Sequence, residues 1–444
     1  MKKFFTIIIS IMLICCCFLT FACGETTPHP EDSALSFRAV EENGSTVGYA
    51  VLGMGDYEGT ELDIPGVYNG LPVTEIAENA FDGSNITSVS LPETVKIIGE
   101  NAFARCDNLK KVNIESVEAW CNIDFRSMAS CPMYFATEMY LKGELITQLT
   151  VPDSVTAIPD YAFYECSNIT GVTVGAGVTE IGESAFYNCE KLKSVVLNGA
   201  IGHMGRLAFA HCEALESVQI KEGVKEIGYC AFYECSVLNE VEIPSSVHTI
   251  GESAFSFCTG LEKVTFNEGL EYIGDGAFSG CFALEEFIMP NSVTEIGFGI
   301  LMFVGGYLFD GEDVFELSSV KKVVISDNIK EITQFAFSGC IMPTVAIGKK
   351  VETIDYSAFY GCDRLESVVI PNSVKNIVSY AFYHCYMLNT VYYEGTAEEW
   401  RGVSVSKSGN DIVNAEVYYY SESAPAGEGN YWHYAADGVT PEKW

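Results

Sequence analysis

The residue types most able to do chemistry in this chain are its 17 cysteines, and their spacing indicates what they are for. A thiol can pair as a disulfide, ligate a metal or attack as a thiolate. Ten of the cysteines sit in one motif, Ala-Phe-x-x-Cys, at Cys106, Cys166, Cys189, Cys212, Cys235, Cys258, Cys281, Cys340, Cys362 and Cys385. From Phe163 to Phe278 the phenylalanine returns every 23 residues. A metal site or disulfide framework gathers thiols in pairs or clusters. One thiol per repeat, always three residues after a phenylalanine, reads instead as a small apolar side chain in a stacked core. Cys121 and Cys131 fall outside the motif and are the pair open to a disulfide, while Cys230 replaces a variable position as a lone thiol.

Other chemistry is sparse. The six histidines, His29, His203, His211, His248, His384 and His433, occupy non-equivalent positions, so no Ser-His-Asp or zinc set assembles. Glu285-Glu286 and Glu398-Glu399 are the neighbouring carboxylates expected by chance at this acid content. No phosphate loop, dinucleotide fingerprint or calcium loop is present. The chain is expected to be no enzyme and to use no cofactor and no metal.

The elements that position the thiols follow from one unit, Pro244 to Phe266. Its apolar positions are Val247, Ile250, Ala254, Phe255, Cys258, Leu261, Val264 and Phe266, and they recur in nearly every copy. The ending Leu-x-x-Val-x-Ile alternates at period two and predicts a short strand. The looser spacing between Ile and Cys predicts a helical or 3₁₀ turn. Gly228, Gly251 and Gly274 mark the exit from a second extended stretch, and Pro152, Pro244, Pro290 and Pro371 stop the main strand. Stacked coils lay their strands about 4.8 Å apart in a parallel sheet. Each buried phenylalanine then contributes roughly 2 kcal/mol.

The unit Val-x-x-Ile-Gly-x-x-Ala-Phe-x-x-Cys-x-x-Leu-x-x-Val-x-Ile resembles the BspA-type, or Treponema pallidum-type, leucine-rich repeat over about residues 60 to 395. The Leu-x-Leu-x-x-Asn turn of other leucine-rich repeats is absent. The resemblance implies a curved solenoid on the surface of a bacterium, or of an organism that took up such genes. It also implies adhesion to host extracellular-matrix proteins or to other cells. The fold expected is a leucine-rich repeat solenoid with coils of 22–23 residues, a parallel β-sheet on one face, short turns and β-rich caps.

The period breaks between Phe103 and Phe163 and again between Phe278 and Phe337. Val117-Glu-Ala-Trp120 in the first break matches Ala397-Glu-Glu-Trp400 near the C-terminus, each followed by strand-like residues, which suggests one Trp-marked module used twice for capping or as a bulge. In the second break Ile300 and Leu301 stand where Ala-Phe should be, ahead of the Gly305-Gly306 loop. The expected organisation is a signal peptide at 1–22, a tether at 23–35, an N-terminal β cap at 36–76 and a solenoid at 77–395. The solenoid carries insertions near 115–148 and 297–319, and a Trp/Tyr-rich cap follows at 396–444.

Lys2 and Lys3 precede an apolar run from Phe4 to Ala22, the layout of a secretory signal. The run ends at Cys23, which resembles the lipidated cysteine of a bacterial lipoprotein. The expected location is the outer face of the cell envelope, lipid-anchored, with plain secretion as the alternative. Formal net charge is −35, from 60 acidic and 25 basic residues. Such a surface repels phosphate backbones and anionic lipid, so no nucleic acid is expected, and membrane contact only through the anchor.

What remains for function is the sheet face, where the residues either side of each strand valine point away from the core. Glu240, Glu242, Glu286, Ile288, Val324, Val369 and Tyr392 are its candidate ligand-binding residues, with the C-terminal half the more apolar. A monomer that binds an extracellular protein or cell-surface macromolecule is expected. The alternative is a structural spacer with no dedicated ligand. A tyrosine row after Ala-Phe (Tyr164, Tyr187, Tyr233, Tyr360, Tyr383) reads as packing between turns.

Overall fold

Three kinds of hydrogen-bonded ladder stack along the array, each built from one segment of the coil and each broken in places. The structure, a computed structural model, describes residues 34–302, 319–427 and 429–444. The leader, Cys23 and residues 303–318 lie outside the described residues.

The first ladder is the parallel sheet built from Leu-x-x-Val-x-Ile. Its strands pair in chain order from Gln148–Val151 through Thr390–Tyr393 to Glu416–Tyr420. A separate parallel run of Glu61–Asp63, Ser88–Leu91, Lys111–Ile114 and Glu138–Leu141 precedes it. The strand Glu61–Asp63 therefore already belongs to the stacked array, ahead of the first Ala-Phe pair. The antiparallel hairpin Ser36–Glu42 and Ser45–Gly53 covers the N-terminal end, turning at Asn43-Gly44.

The second ladder has two residues per coil, as in Glu180–Ile181 beside His203–Met204. In many coils the chain leaves it at a glycine, because neighbouring backbones touch there; Pro159, Thr333, Asp355 and Val378 take that place in others. A Cβ on Gly228 would stand 2.0 Å from the carbonyl oxygen of Met204, so no side chain fits.

The third ladder is the turn that holds Ala-Phe-x-x-Cys. The amides of Tyr161, Phe163 and Glu165 donate to the carbonyls of Glu183, Ala185 and Tyr187 at 3.0, 2.8 and 2.8 Å. Tyr161 and Glu165 adopt φ of 60° and 51°, and the same pair of left-handed residues recurs at Ser184/Asn188 and Ser253/Phe257. Such backbone costs a non-glycine residue about 1 kcal/mol. The inter-coil hydrogen bond at each of these positions offsets the strain.

Inside the three ladders the phenylalanines form a column. Phe186, Phe209, Phe232, Phe255 and Phe278 are all fully buried. Successive rings stack at 4.9–5.4 Å and within 9° of parallel. An in-register repeat places each ring over the one before.

Both Trp-marked modules are ordinary coils with a short helix set into one loop. Helix Val117–Cys121 is capped by Ser116, and helix Ala397–Gly402 by a Thr396–Glu399 capping box. Each is followed by a second-ladder strand, Asp124–Phe125 and Ser404–Val405. Trp120 is buried and its indole N–H donates to Ala162 O of the next coil at 3.1 Å, whereas Trp400 packs half-buried against Tyr393. Beyond the first module the main sheet is interrupted by the hairpin Glu138–Leu141 and Glu144–Leu145. Asn168, buried, spans the interruption: its side chain accepts from Met139 N at 3.0 Å and donates to the carbonyls of Met139 and Ile146.

At the second break the main sheet runs on, with Glu286 paired to Lys322. Ile300 and Leu301 take the Ala-Phe slots, bonded to Phe278 and Ala336 in the turn ladder. The second ladder divides here, between Glu295–Ile296 and Glu331–Ile332. Side chains fill in: the buried Ser326 hydroxyl donates to Val293 O at 2.6 Å, and Asn328 Nδ2 donates to Asn291 O at 2.6 Å.

Candidate functional site

The cysteines, the most reactive side chains of the sequence, are spent on the core. The ten motif thiols are fully buried and unpaired by disulfide, and Cys121, Cys131 and Cys230 are also free and buried. Eight of the ten donate Sγ–H to the phenylalanine carbonyl of the preceding coil; Cys189 reaches Phe163 O at 3.2 Å and Cys258 reaches Phe232 O at 3.1 Å. Cysteine suits the slot because it is small, apolar and still a weak donor. Burial pushes the thiols of Cys131, Cys166 and Cys258 up to about 12. A thiol so reluctant to ionise is a poor nucleophile at neutral pH. Among the described residues no group of three or more His, Cys, Asp and Glu is placed to hold a metal ion.

The outer face of the main sheet presents two parallel files of side chains. One file alternates in sign, Glu240, Lys263, Glu286 and Lys322 standing in register, with Lys322 Nζ 3.8 Å from Glu286. The other begins Glu242 and Thr265 and turns apolar at Ile288, Val324, Ala346, Val369, Tyr392 and Tyr418, again in register. Glu240, Glu242, Glu286, Ile288 and Val324 are exposed, the last two at 42% and 40%. Beside Ile288 lies an open groove of about 770 Å³, lined among others by Glu262, Lys263, Thr265, Glu286 and Ser319.

Val369 and Tyr392 are not part of an exposed face. They are 2% and 9% exposed, because the C-terminal strands Tyr431–Tyr434 and Pro441–Lys443 join the end of the sheet and turn Trp432 onto them. Trp432 is fully buried, lies 5.4 Å from Tyr392 ring to ring, and donates its indole N–H to Tyr393 O at 2.9 Å. The Tyr434 hydroxyl donates to Glu394, and Lys443 Nζ sits 4.0 Å from the centre of the Tyr418 ring. Burial raises the Tyr392 hydroxyl, and the nearby Lys443 charge opposes it. Strand alternation in residues 416–434 is the available sign of this cap, but alternation alone does not tell which face a returning strand will cover.

The tyrosine row packs between turns. Tyr164 and Tyr187 stack at 5.1 Å, and His211 continues the row at 5.0 Å from Tyr187 and 5.4 Å from Tyr233. No helix among the described residues is long and apolar enough to cross a membrane.

The same coil recurs in known proteins. A family model described as a BspA type leucine-rich repeat region, in six copies, matches residues 74–134, 134–237, 184–302 and 311–409. The chain belongs to the BspA-type leucine-rich repeat family. Solenoids of this kind are associated with protein–protein contact. A solved leucine-rich repeat protein from Bacteroides ovatus is similar at 25% identity and a TM-score of 0.59, covering 87% of this chain and 98% of that one. A leucine rich cell surface protein from Faecalibacterium prausnitzii is also 25% identical, covering 85% and 97% with a TM-score of 0.44. No curated protein matches the chain in the sequence comparison.

Proposed function

We propose that this BspA-type protein is exported, tethered by a lipid on Cys23, and binds an extracellular protein or cell-surface macromolecule through its open sheet face. The reading excludes bond-making chemistry; recognition is by shape and side-chain pairing. The observation that carries it is the register of the face: Glu240, Glu242, Glu286, Ile288 and Val324 stand exposed on three strands of one parallel sheet, with Lys263 and Thr265 on the strand between the first two. Adhesion to matrix or to other cells is the form such binding takes in the proposal. The export step rests on the basic-then-apolar leader ending at Cys23.

Two measurements test it. Intact mass of the membrane-extracted protein is expected to show a chain starting at Cys23 with added acyl groups, lost in Cys23→Ala. Labelled protein is expected to bind a panel of matrix proteins or cells, and Ile288→Asp with Val324→Asp to abolish that binding without shifting the unfolding midpoint. Binding that is absent, or indifferent to both substitutions, leaves a spacer and removes the ligand-binding role.

A further inference from the structure

The chain uses its Trp-marked module twice, and only one of the two is covered. The first ends the stack formed by residues 34–146, and the coil that begins at Gln148–Val151 sits on it with no strand pairing in the main sheet or the second ladder. Under that coil Trp120, Ile123 and Met139 are buried, and its Ala162 carbonyl takes the Trp120 indole N–H. The second module holds Trp400, Val403 and Val417 at the same positions. No further coil lies on it among the described residues, and all three are only half-buried. The Trp400 indole N–H has no hydrogen-bond partner among the described residues. The strands Tyr431–Tyr434 and Pro441–Lys443 bury Val369 and Tyr392 of the main sheet and leave the second ladder ending at the unpaired edge Ser404–Val405.

The differences between the two modules indicate what fits the open one. Arg401 stands where the first module buries Cys121, and Lys407 follows the strand Ser404–Val405. Both cations are exposed, and neither is in an ion pair among the described residues. An occupant of this end brings carboxylates to those cations, apolar surface to Trp400 and Val403, and an edge strand to Ser404–Val405. The opposite end of the same molecule has all three. Its second ladder stops at the edge strand Ser36–Glu42. Phe37 and Val40 on that strand are half-buried, while Glu41 and Glu42 are exposed and in no ion pair among the described residues. Arg38, the one cation between residues 34 and 61, already lies 3.9 Å from Glu75.

We propose that copies of this chain stack head to tail, the N-terminal hairpin of one seated on the C-terminal Trp module of another. Edge strand meets edge strand, Trp400 and Val403 gain a cover, and Glu41 and Glu42 of one copy face Arg401 and Lys407 of the other. The local opposition of charge sets the polarity of the contact against a net charge that repels the copies. A heterologous contact of this kind does not close on itself and makes rows rather than pairs. It uses the two ends of the solenoid, so it holds or fails independently of binding by the sheet face.

Sedimentation velocity of the purified protein in detergent, at about 0.15 M salt, is expected to show rows that lengthen with concentration between about 1 and 100 μM. Arg401→Glu/Lys407→Glu and, separately, Glu41→Lys/Glu42→Lys are each expected to weaken association at least about tenfold, with melting temperatures unchanged. Mixed in equal amounts, the two variants again place opposite charges across every junction between unlike chains, and rows are expected to return. A protein that stays monomeric over this range overturns the proposal, as do variants that associate like the parent or a mixture that stays monomeric. Association that stops at two copies and ignores the change at Glu41 and Glu42 would assign the end to a tail-to-tail pair and overturn it equally. So would association abolished by Ile288→Asp with Val324→Asp, which would put the contact on the sheet face.

Discussion

The buried thiols make the solenoid sensitive to alkali, and the size of the effect follows from their environment. Cys121, Cys131, Cys166 and Cys258 are pushed from 9.0 up to about 12, burial being the leading cause in each. At pH 10 these thiols stay neutral in the folded coil and ionise in the unfolded chain. The unfolded state then binds fewer protons, so stability falls as pH rises. The contribution is complete below about pH 9 and is lost between 9 and about 12. Each thiol loses about 1.4 kcal/mol by pH 10, so these four together lose about 6 kcal/mol, comparable with the whole stability of an ordinary domain. Cys189, Cys235, Cys281 and Cys385 are raised in the same direction and add to it. Urea unfolding followed by circular dichroism at pH 8, 9 and 10, with reductant present, measures the loss. Cys258→Ala isolates one thiol. At pH 8 it is expected to be about 1–2 kcal/mol less stable, having lost the bond to Phe232 O and some packing. By pH 10 that deficit should shrink by about 1.4 kcal/mol, because one ionising group has gone. A deficit that stays constant across the pH range, or a stability flat from pH 8 to 10, refutes the reasoning.

Two further outcomes are expected. Phe255→Ala removes a fully buried ring stacked on Phe232 and Phe278 and should cost about 3–5 kcal/mol in urea unfolding; a cost below about 1 kcal/mol would mean the column tolerates a gap. Trp432→Ala should uncover Val369 and Tyr392 and speed amide exchange in residues 416–444, while coils before Glu286 keep their protection because a solenoid couples mainly through nearest neighbours. Exchange that accelerates evenly along the chain would contradict that locality.

Much of the array is legible in residue spacing alone. The interval between phenylalanines gives the coil, Leu-x-x-Val-x-Ile gives the strand, and one cysteine per coil gives a core thiol, because a repeat forces every equivalent position into the same environment. The face is legible by the same alternation, as Glu240, Glu242, Glu286, Ile288 and Val324 show. The left-handed turn residues are not. Tyr161, Glu165 and Ser184 carry no backbone signature in their types, and the conformation is imposed by hydrogen bonds from the next coil.

Sequence by itself determined what repeats: period, ladder, core and the outward files, since each depends on local spacing and on a neighbour identical in kind. Tertiary structure alone decided where the repeat ends and what lies over it. Val369 and Tyr392 have the same strand position as Val324, yet they are buried, because Trp432 returns to them from 63 and 40 residues further along the chain. Alternation fixes the direction of a side chain, and only the path of the chain fixes whether water or another ring meets it there.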